Sequence, residues 1–188
     1  ERSRGNQTSM NFSTRLLLLV ISPLFLTQSL PAESAPNIVL ILADDMGYGD
    51  IGAYHSESKI PTPHLDQLAA EGIRFTDAHA GGSSCKPSRY SLLSGTFACR
   101  AANLNDRKGP MLPEGRATLA SILRDNGYHT AMVGKWHLGF DQKGRKEGEP
   151  IDGFAFDYGQ PITGGPRDRG FDSYFGMHAS LDIPPYFF

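Results

Sequence analysis

Residues 37–43 (NIVLILA) are an unbroken apolar, β-branched run without alternation, the pattern of a strand covered on both faces. Two aspartates, Asp44 and Asp45, and a glycine-rich turn (MGYGDIG) follow at once. Thr62-Pro63 then opens a predicted helix, with an N-cap and a proline in its first turn. That helix carries Leu65, Leu68 and Ala69 on one face and stops at Gly72. Residues 73–78 are predicted as a strand, and 87–93 as a helix beginning just after Cys85. A further helix is predicted over 118–126, with Leu119, Ile122 and Leu123 on one face and Gly127 as its stop. Residues 129–133 are predicted as a strand. Strands alternating with helices indicate an α/β fold with a mainly parallel sheet. Two stretches break the rhythm: 97–116 is mixed and basic, and 139–170 holds eight glycines. Both are expected to be long loops, and loops of that length inside a domain are usually functional or disordered.

The amino terminus has a different pattern. Residues 1–9 precede the first methionine and are expected to lie upstream of the true start. From Met10 the order is a basic residue, Arg15, then the apolar run 16–26 (LLLLVISPLFL), then small residues at Ala32 and Ser34. This is the layout of a secretory signal peptide over 10–34. A membrane span needs roughly 20 apolar residues, and this run is shorter and interrupted by Pro23. The expectation is therefore export to a periplasmic or extracellular space, with no stable membrane insertion after cleavage. Asn6 and Asn11 head Asn-x-Ser/Thr sequons but would be removed with the signal.

Composition narrows the function. Lys+Arg number 18 and Asp+Glu 20, a net charge of −2 that lacks the basic excess of a nucleic-acid binder. A mean hydropathy of −0.32 fits a soluble globular chain rather than a polytopic membrane protein. Two cysteines cannot build a disulfide framework or an all-cysteine zinc site.

Three segments carry candidate chemistry. Asp44-Asp45 lies where an apolar strand is predicted to end, the place where parallel α/β sheets bind ligands. Adjacent carboxylates there suit a hard cation, Ca²⁺ or Mg²⁺, or else a solvated turn with an Asx cap. Cys85 stands at the start of a predicted helix, where backbone N–H groups favour an anion or a nucleophile, and Arg89 follows one turn on. A disulfide from Cys85 to Cys99, or a buried structural thiol, are the alternatives there. Lys135 and His137 stand two apart at a predicted strand end, where alternate residues share a face and both can reach one oxyanion. An ordinary surface lysine beside a packing histidine is the alternative.

Taken together, these segments resemble the formylglycine-dependent sulfatase family, within the alkaline phosphatase superfamily. CKPSRYSLLSG (85–95) looks like its first signature, C-x-P-S-R-x-x-L-x-[ST]-G, and GYHTAMVGKWH (127–137) matches the second, G-Y-x-T-x-x-x-G-K-x-H. PNIVLILADDMGYGD is similar to the opening metal strand, IPTPHLDQLAAEGIRFTDAHA to the segment after it, and GFDSYFG (170–176) to a later landmark. The resemblance covers residue 36 to the end and implies an alkaline-phosphatase-like α/β fold and hydrolysis of sulfate monoesters, aryl or carbohydrate.

By that resemblance Cys85 would be oxidised to formylglycine by a formylglycine-generating or equivalent maturation enzyme that reads C-x-P-S-R. The hydrated aldehyde would attack sulfur through one hydroxyl, and the second would expel sulfate by re-forming the aldehyde. Asp44, Asp45 and the modified Cys85 would ligate Ca²⁺, with Mg²⁺ also suitable. Arg89 would hold the diol, Lys135 would contact sulfate oxygens, and His137 would hydrogen-bond or deprotonate the diol. Ser180 is a loosely aligned partner for His137. The remaining histidines, 55, 64, 79, 129 and 178, are taken as surface or packing residues.

The family's site also uses an Asp-Asn pair and a further lysine and histidine. Beyond His137 the sequence has no Asp-Asn pair, no lysine after Lys146, and only His178. Residues 35–188 are therefore expected to be the N-terminal part of a catalytic domain, weakly active or inactive alone. The alternatives are a phosphate or phosphonate ester hydrolase of the same superfamily and a non-catalytic exported anion-binding protein. Paired sulfate and phosphate esters separate the first, and the chemical state of Cys85 separates the second.

Overall fold

The computed structural model describes residues 35–101, 109–141 and 159–180. The predicted signal segment and the nine residues before it lie outside the described residues, as do parts of both predicted loops. The chain divides into two units, Glu1–Ile41 and Leu42–Phe188. In the first, the described residues 35–41 form no helix or strand.

Among its described residues the second unit contains three α-helices, α1 (Pro63–Glu71), α2 (Cys85–Ser94) and α3 (Leu119–Asp125), and two strands, β1 (Ala131–Val133) and β2 (Ser173–Phe175). Single 3₁₀ turns stand at Tyr48–Asp50, Ala98–Arg100 and Arg167–Arg169. α1 begins at the predicted proline and ends at Gly72, whose N–H reaches Leu68 O at 3.0 Å. Thr62 does not cap it, as the sequence suggests. Its hydroxyl accepts from Gly52 N–H at 2.9 Å and donates to Asp66 Oδ1 at 3.1 Å, fastening the turn after the aspartate pair onto α1. α3 opens on a reciprocal cap: Thr118 Oγ1 accepts Ser121 N–H at 3.0 Å, and Ser121 Oγ accepts Thr118 N–H at 2.8 Å.

β1 and β2 are parallel, with Ala131 opposite Ser173, Met132 opposite Tyr174 and Val133 opposite Phe175. Thr130 and Asp172 pin this register from below. Thr130 N–H donates to Asp172 Oδ2 at 2.8 Å, and Asp172 N–H returns a bond to Thr130 O at 2.8 Å. The middle pair packs on a core of Tyr90, Met111, Leu112, Trp136 and Leu138. Flanking Val133 stays 80% exposed, so the strand pair is covered on one face. Parallel strands and helices make this a partial α/β fold, as the alternation of elements predicts.

Two predicted strands do not form. Residues 37–43 have no ladder, and Ile38 to Leu42 are exposed. Residues 73–78 are likewise irregular, with Ile73 84% exposed. A doubly covered strand is stable only between neighbours that supply hydrogen bonds and apolar cover. Among the described residues none pairs with either segment. Conversely, the predicted loop 97–116 contributes Ala98, Met111 and Leu112 to the buried set. The loop 139–170 contributes Phe140 and Arg169. Arg169 Nε donates to Leu112 O at 2.8 Å, so a buried guanidinium ties the two irregular stretches together.

Candidate active site

α2 positions the first half of the site. It starts at Cys85 itself, two residues earlier than predicted, after an extended Ser84, and it ends on Gly95 with φ +63°. Ser88 Oγ donates to Gly82 O at 2.9 Å and Ser91 Oγ to Gly81 O at 3.1 Å. Both glycines are required by close approach: a Cβ on Gly81 would lie 2.2 Å from Ser91 Cβ, and one on Gly82 2.3 Å from Pro87 Cβ. The chain entering Cys85 is thereby clamped against its own helix. Tyr90 anchors α2 in the core, and Arg89, its neighbour, is buried with it.

The second half follows β1. Gly134, with φ +112°, turns the chain out of the strand. Residues 134–137 then run alongside 175–178, with N–H···O bonds from Gly134 to Phe175, Trp136 to Met177 and His137 to His178, each 2.9 Å. Trp136 anchors this path: it is buried in the core and its indole N–H donates to Gly139 O at 2.7 Å. Tyr174 OH donates to Met177 O at 2.7 Å, and burial pushes its pKa up to about 12. His137 is not in extended backbone but at φ +57°, so simple strand alternation does not describe how it joins Lys135. His137 and Asp45, at φ +63°, are the non-glycine residues with positive φ among those described. Such conformations cost about 1 kcal/mol or more and gather at functional sites.

These elements converge on Asp44. Lys135 Nζ donates to Asp44 Oδ2 at 2.8 Å, and Arg89 Nη2 lies 3.5 Å from the same oxygen. The Lys135 and Arg89 side chains are 13% and 10% exposed, against 39% for Asp44, so the pair lies at the edge of buried structure. The hydrogen bond from Lys135 is the main cause holding the Asp44 carboxyl below its ordinary 3.8; the charges of Lys135, Arg89 and His137 add to it, and burial opposes. Arg89 Nη1 also donates to Lys135 O, fixing the guanidinium to the backbone that carries the ammonium. Arg89 Nε, fully buried, has no hydrogen-bond acceptor among the described residues.

Of the predicted site residues, the structure brings together Asp44, Arg89, Lys135 and, through its charge on Asp44, His137. Cys85 opens the same helix as Arg89, one turn earlier, and is half-buried. Both cysteines are free, so the Cys85–Cys99 bridge is not formed. Asp45 follows Asp44 in an exposed bend. Ser180 lies with Lys135, its Oγ 3.4 Å from Nζ. His178 is half-buried against Phe140, with ring centroids 5.9 Å apart, and burial holds its pKa below 6.5. Sequence reasoning missed the Gly81-Gly82 clamp and the Thr130–Asp172 pin, whose only sequence signals are a glycine pair before Cys85 and a lone aspartate within GFDSYFG.

The donor set fits a divalent cation in kind but not in number. Two adjacent carboxylates are the hard oxygens that Ca²⁺ or Mg²⁺ prefers, yet Ca²⁺ takes six to eight and Mg²⁺ six. Among the described residues no group of three His, Cys, Asp or Glu could hold a metal. The Asp44 oxygen nearest the cluster is taken by Lys135.

Comparison with known proteins joins these observations. The Sulfatase family model matches residues 36–186. Arylsulfatase G of Mus musculus is 44% identical over 151 residues, which are 79% of this chain and 25% of that protein. The N-acetylgalactosamine-6-O-sulfatase of Bacteroides thetaiotaomicron is 37% identical over 81% of this chain and 28% of its own. A solved structure from work on metabolism of multiple glycosaminoglycans by Bacteroides thetaiotaomicron superimposes with a TM-score of 0.67, at 36% identity, over 81% of this chain and 30% of that one. The chain thus spans about a quarter of the length of the curated relatives it matches. With both signature segments inside the matched residues and their basic groups gathered on one aspartate, the chain belongs to the Sulfatase family.

Proposed function

We propose that this chain carries the nucleophile-bearing part of a site that hydrolyses sulfate monoesters, with residues 35–188 as the N-terminal portion of the catalytic domain. The single observation that carries the reading is the meeting of Arg89, Lys135 and Asp44 within 3.5 Å, one turn of helix from Cys85. Two cations around one carboxylate leave the cluster with positive charge to offer an anionic ester.

Cys85 is the proposed nucleophile position, matured to formylglycine. The group would supply a hydrated aldehyde oxygen as nucleophile, and the proposed cation is Ca²⁺, with Mg²⁺ also suitable. Asp44 and Asp45 would give such a cation two of its oxygens. Arg89, held rigidly by burial and by its bond to Lys135 O, neutralises charge beside Cys85. Lys135, on a flexible stem, donates to sulfate oxygens as charge builds on them. His137, pinned through its N–H to His178 O, is the proposed proton carrier. The clamp at Gly81-Gly82 fixes the entry of Cys85, and the Trp136 anchor fixes the exit of β1. The proposed substrates are sulfated small molecules or glycans, met after export, and the proposed partner is the maturation enzyme.

Paired rate measurements on 4-nitrophenyl sulfate and 4-nitrophenyl phosphate test this reading. A protein of the relatives' length with matured Cys85 is expected to prefer the sulfate, and the 188-residue chain alone to be weakly active or inactive. Lys135→Met in the longer protein is expected to lower kcat/KM about a hundredfold or more. Full sulfate turnover by the 188-residue chain would overturn the proposed division of the site. Preference for phosphate would overturn the substrate class.

A further inference from the structure

Tyr174 is the middle residue of β2, opposite Met132, and its ring packs against the core. Its hydroxyl lies 2.7 Å from Met177 O and 3.2 Å from Gly134 O. A phenol has one proton to give, and here it is shared between carbonyls of two separate segments, a three-centre bond. Met177 O also accepts Trp136 N–H at 2.9 Å. Gly134 O belongs to the peptide that leads into Lys135, and among the described residues that peptide takes its hydrogen bond from this hydroxyl. The next carbonyl along, Lys135 O, accepts Arg89 Nη1. The crossing is built on glycines: Gly134 has φ +112°, and a Cβ on Gly176 would lie 1.9 Å from Gly134 O. Glycine permits the close approach but leaves the backbone free to turn. Tyr174 supplies the fixed group that spans it. Burial raises the phenol to about 12, partly offset by the Arg89 charge, so the hydroxyl keeps its proton through the neutral range.

We propose that Tyr174 is a positioning residue of the site: its hydroxyl, bridging Met177 O and Gly134 O, sets the plane of the Gly134–Lys135 peptide. Through that peptide it sets the aim of the Lys135 ammonium, which lies 2.8 Å from Asp44 Oδ2, and the seat of Arg89 on Lys135 O. Tyr174 acts through these two residues and takes no part in the chemistry itself. Phenylalanine at this position keeps the ring and its packing and removes the bridge. The effect on turnover rests on the reading of the site as a sulfatase site; the effect on Lys135 does not.

Lysine-ammonium ¹H–¹⁵N NMR on the 188-residue chain, in mildly acidic buffer, tests this without turnover. The wild type is expected to show a Lys135 ammonium signal protected from exchange, assigned by its loss in Lys135→Met. Tyr174→Phe is expected to speed exchange of that signal on the order of tenfold, the value of one ordinary hydrogen bond. Ser121→Ala, which removes half of the α3 cap, is the control for stability loss alone and is expected to leave the signal unmoved. An unchanged Lys135 signal in Tyr174→Phe overturns the proposal, as does an unprotected one in the wild type. A second reading needs no variant: the wild-type Tyr174 hydroxyl proton is expected in slow exchange. Fast exchange there overturns the bridge even where Tyr174→Phe fails to fold. In a protein of the relatives' length with matured Cys85, Tyr174→Phe is expected to lower kcat on 4-nitrophenyl sulfate about tenfold or more with KM little changed. Ser121→Ala is expected to change neither. An unchanged kcat in Tyr174→Phe beside an active wild type defeats this inference and leaves the sulfatase reading intact. A wild type without sulfate-ester turnover, whose Lys135 signal responds to Tyr174→Phe, does the reverse.

Discussion

Asp44 concentrates the electrostatics of the site. Its folded carboxyl ionises below 3.8 because Lys135 hydrogen-bonds the charged form. A depressed folded value means the pair stabilises the fold at pH above 3.8, and that contribution disappears as pH falls through the depressed value. Asp172 is shifted the same way, chiefly by the Thr130 backbone N–H, and loses its contribution over the same acid range. Lys135→Met is therefore expected to raise the Asp44 pKa toward 3.8, read by carbon-13 NMR titration; an unmoved value would contradict the pairing. Tyr174 makes a separate test. Tyr174→Phe removes the donor to Met177 O and should cost about 1 kcal/mol in urea unfolding. Residue identities at the site were largely legible in the sequence, because Cys85, Arg89, Lys135 and His137 sit in long motifs. Their meeting point was not: the Lys135–Asp44 contact spans 91 positions. The approach of Ser180 to Lys135 was not legible either, because nothing in a short polar stretch says which side chain it faces.

At the scale of elements, punctuation was informative and strand patterns were not. Pro63 and Gly72 bracket α1, Thr118 caps α3, and Gly95 closes α2, each for a backbone reason visible in the residue type. β1 and β2 are three residues each, too short for a period to show. β2 was recognised only as part of a motif. The run 37–43 has the composition of a buried strand, but composition supplies neither the ladder nor the cover. The chains leaving β1 and β2 approach closely. A Cβ on Gly176 would stand 1.9 Å from Gly134 O, a backbone atom that cannot step aside without opening the 134–137 path to Lys135. Gly176→Ala is expected to lower stability by roughly 1–3 kcal/mol, with a fall in Tm by circular dichroism; an unchanged Tm would show that the two segments are not held so close.

The whole molecule explains why its arithmetic misleads. A net charge of −2 conceals a cluster in which Arg89 and Lys135 outnumber Asp44. Large apolar side chains, among them Ile73, Phe75, Val133 and Phe175, stand exposed in a chain that spans about a quarter of the length of the relatives it matches. Apolar surface of that kind marks an interaction face, and the 188-residue chain is expected to bind the dye ANS with increased fluorescence. No increase would show these side chains to be covered. No helix among the described residues is long and apolar enough to cross a membrane. Cys85 stands at the head of α2, one turn from the buried Arg89, and the proposed function needs it converted into the nucleophile. The most direct measurement is peptide mass spectrometry across Cys85 after co-production with a formylglycine-generating enzyme. The account predicts the mass of the aldehyde or its hydrate in place of the thiol, lost in Cys85→Ala; an intact thiol in the folded protein would contradict it.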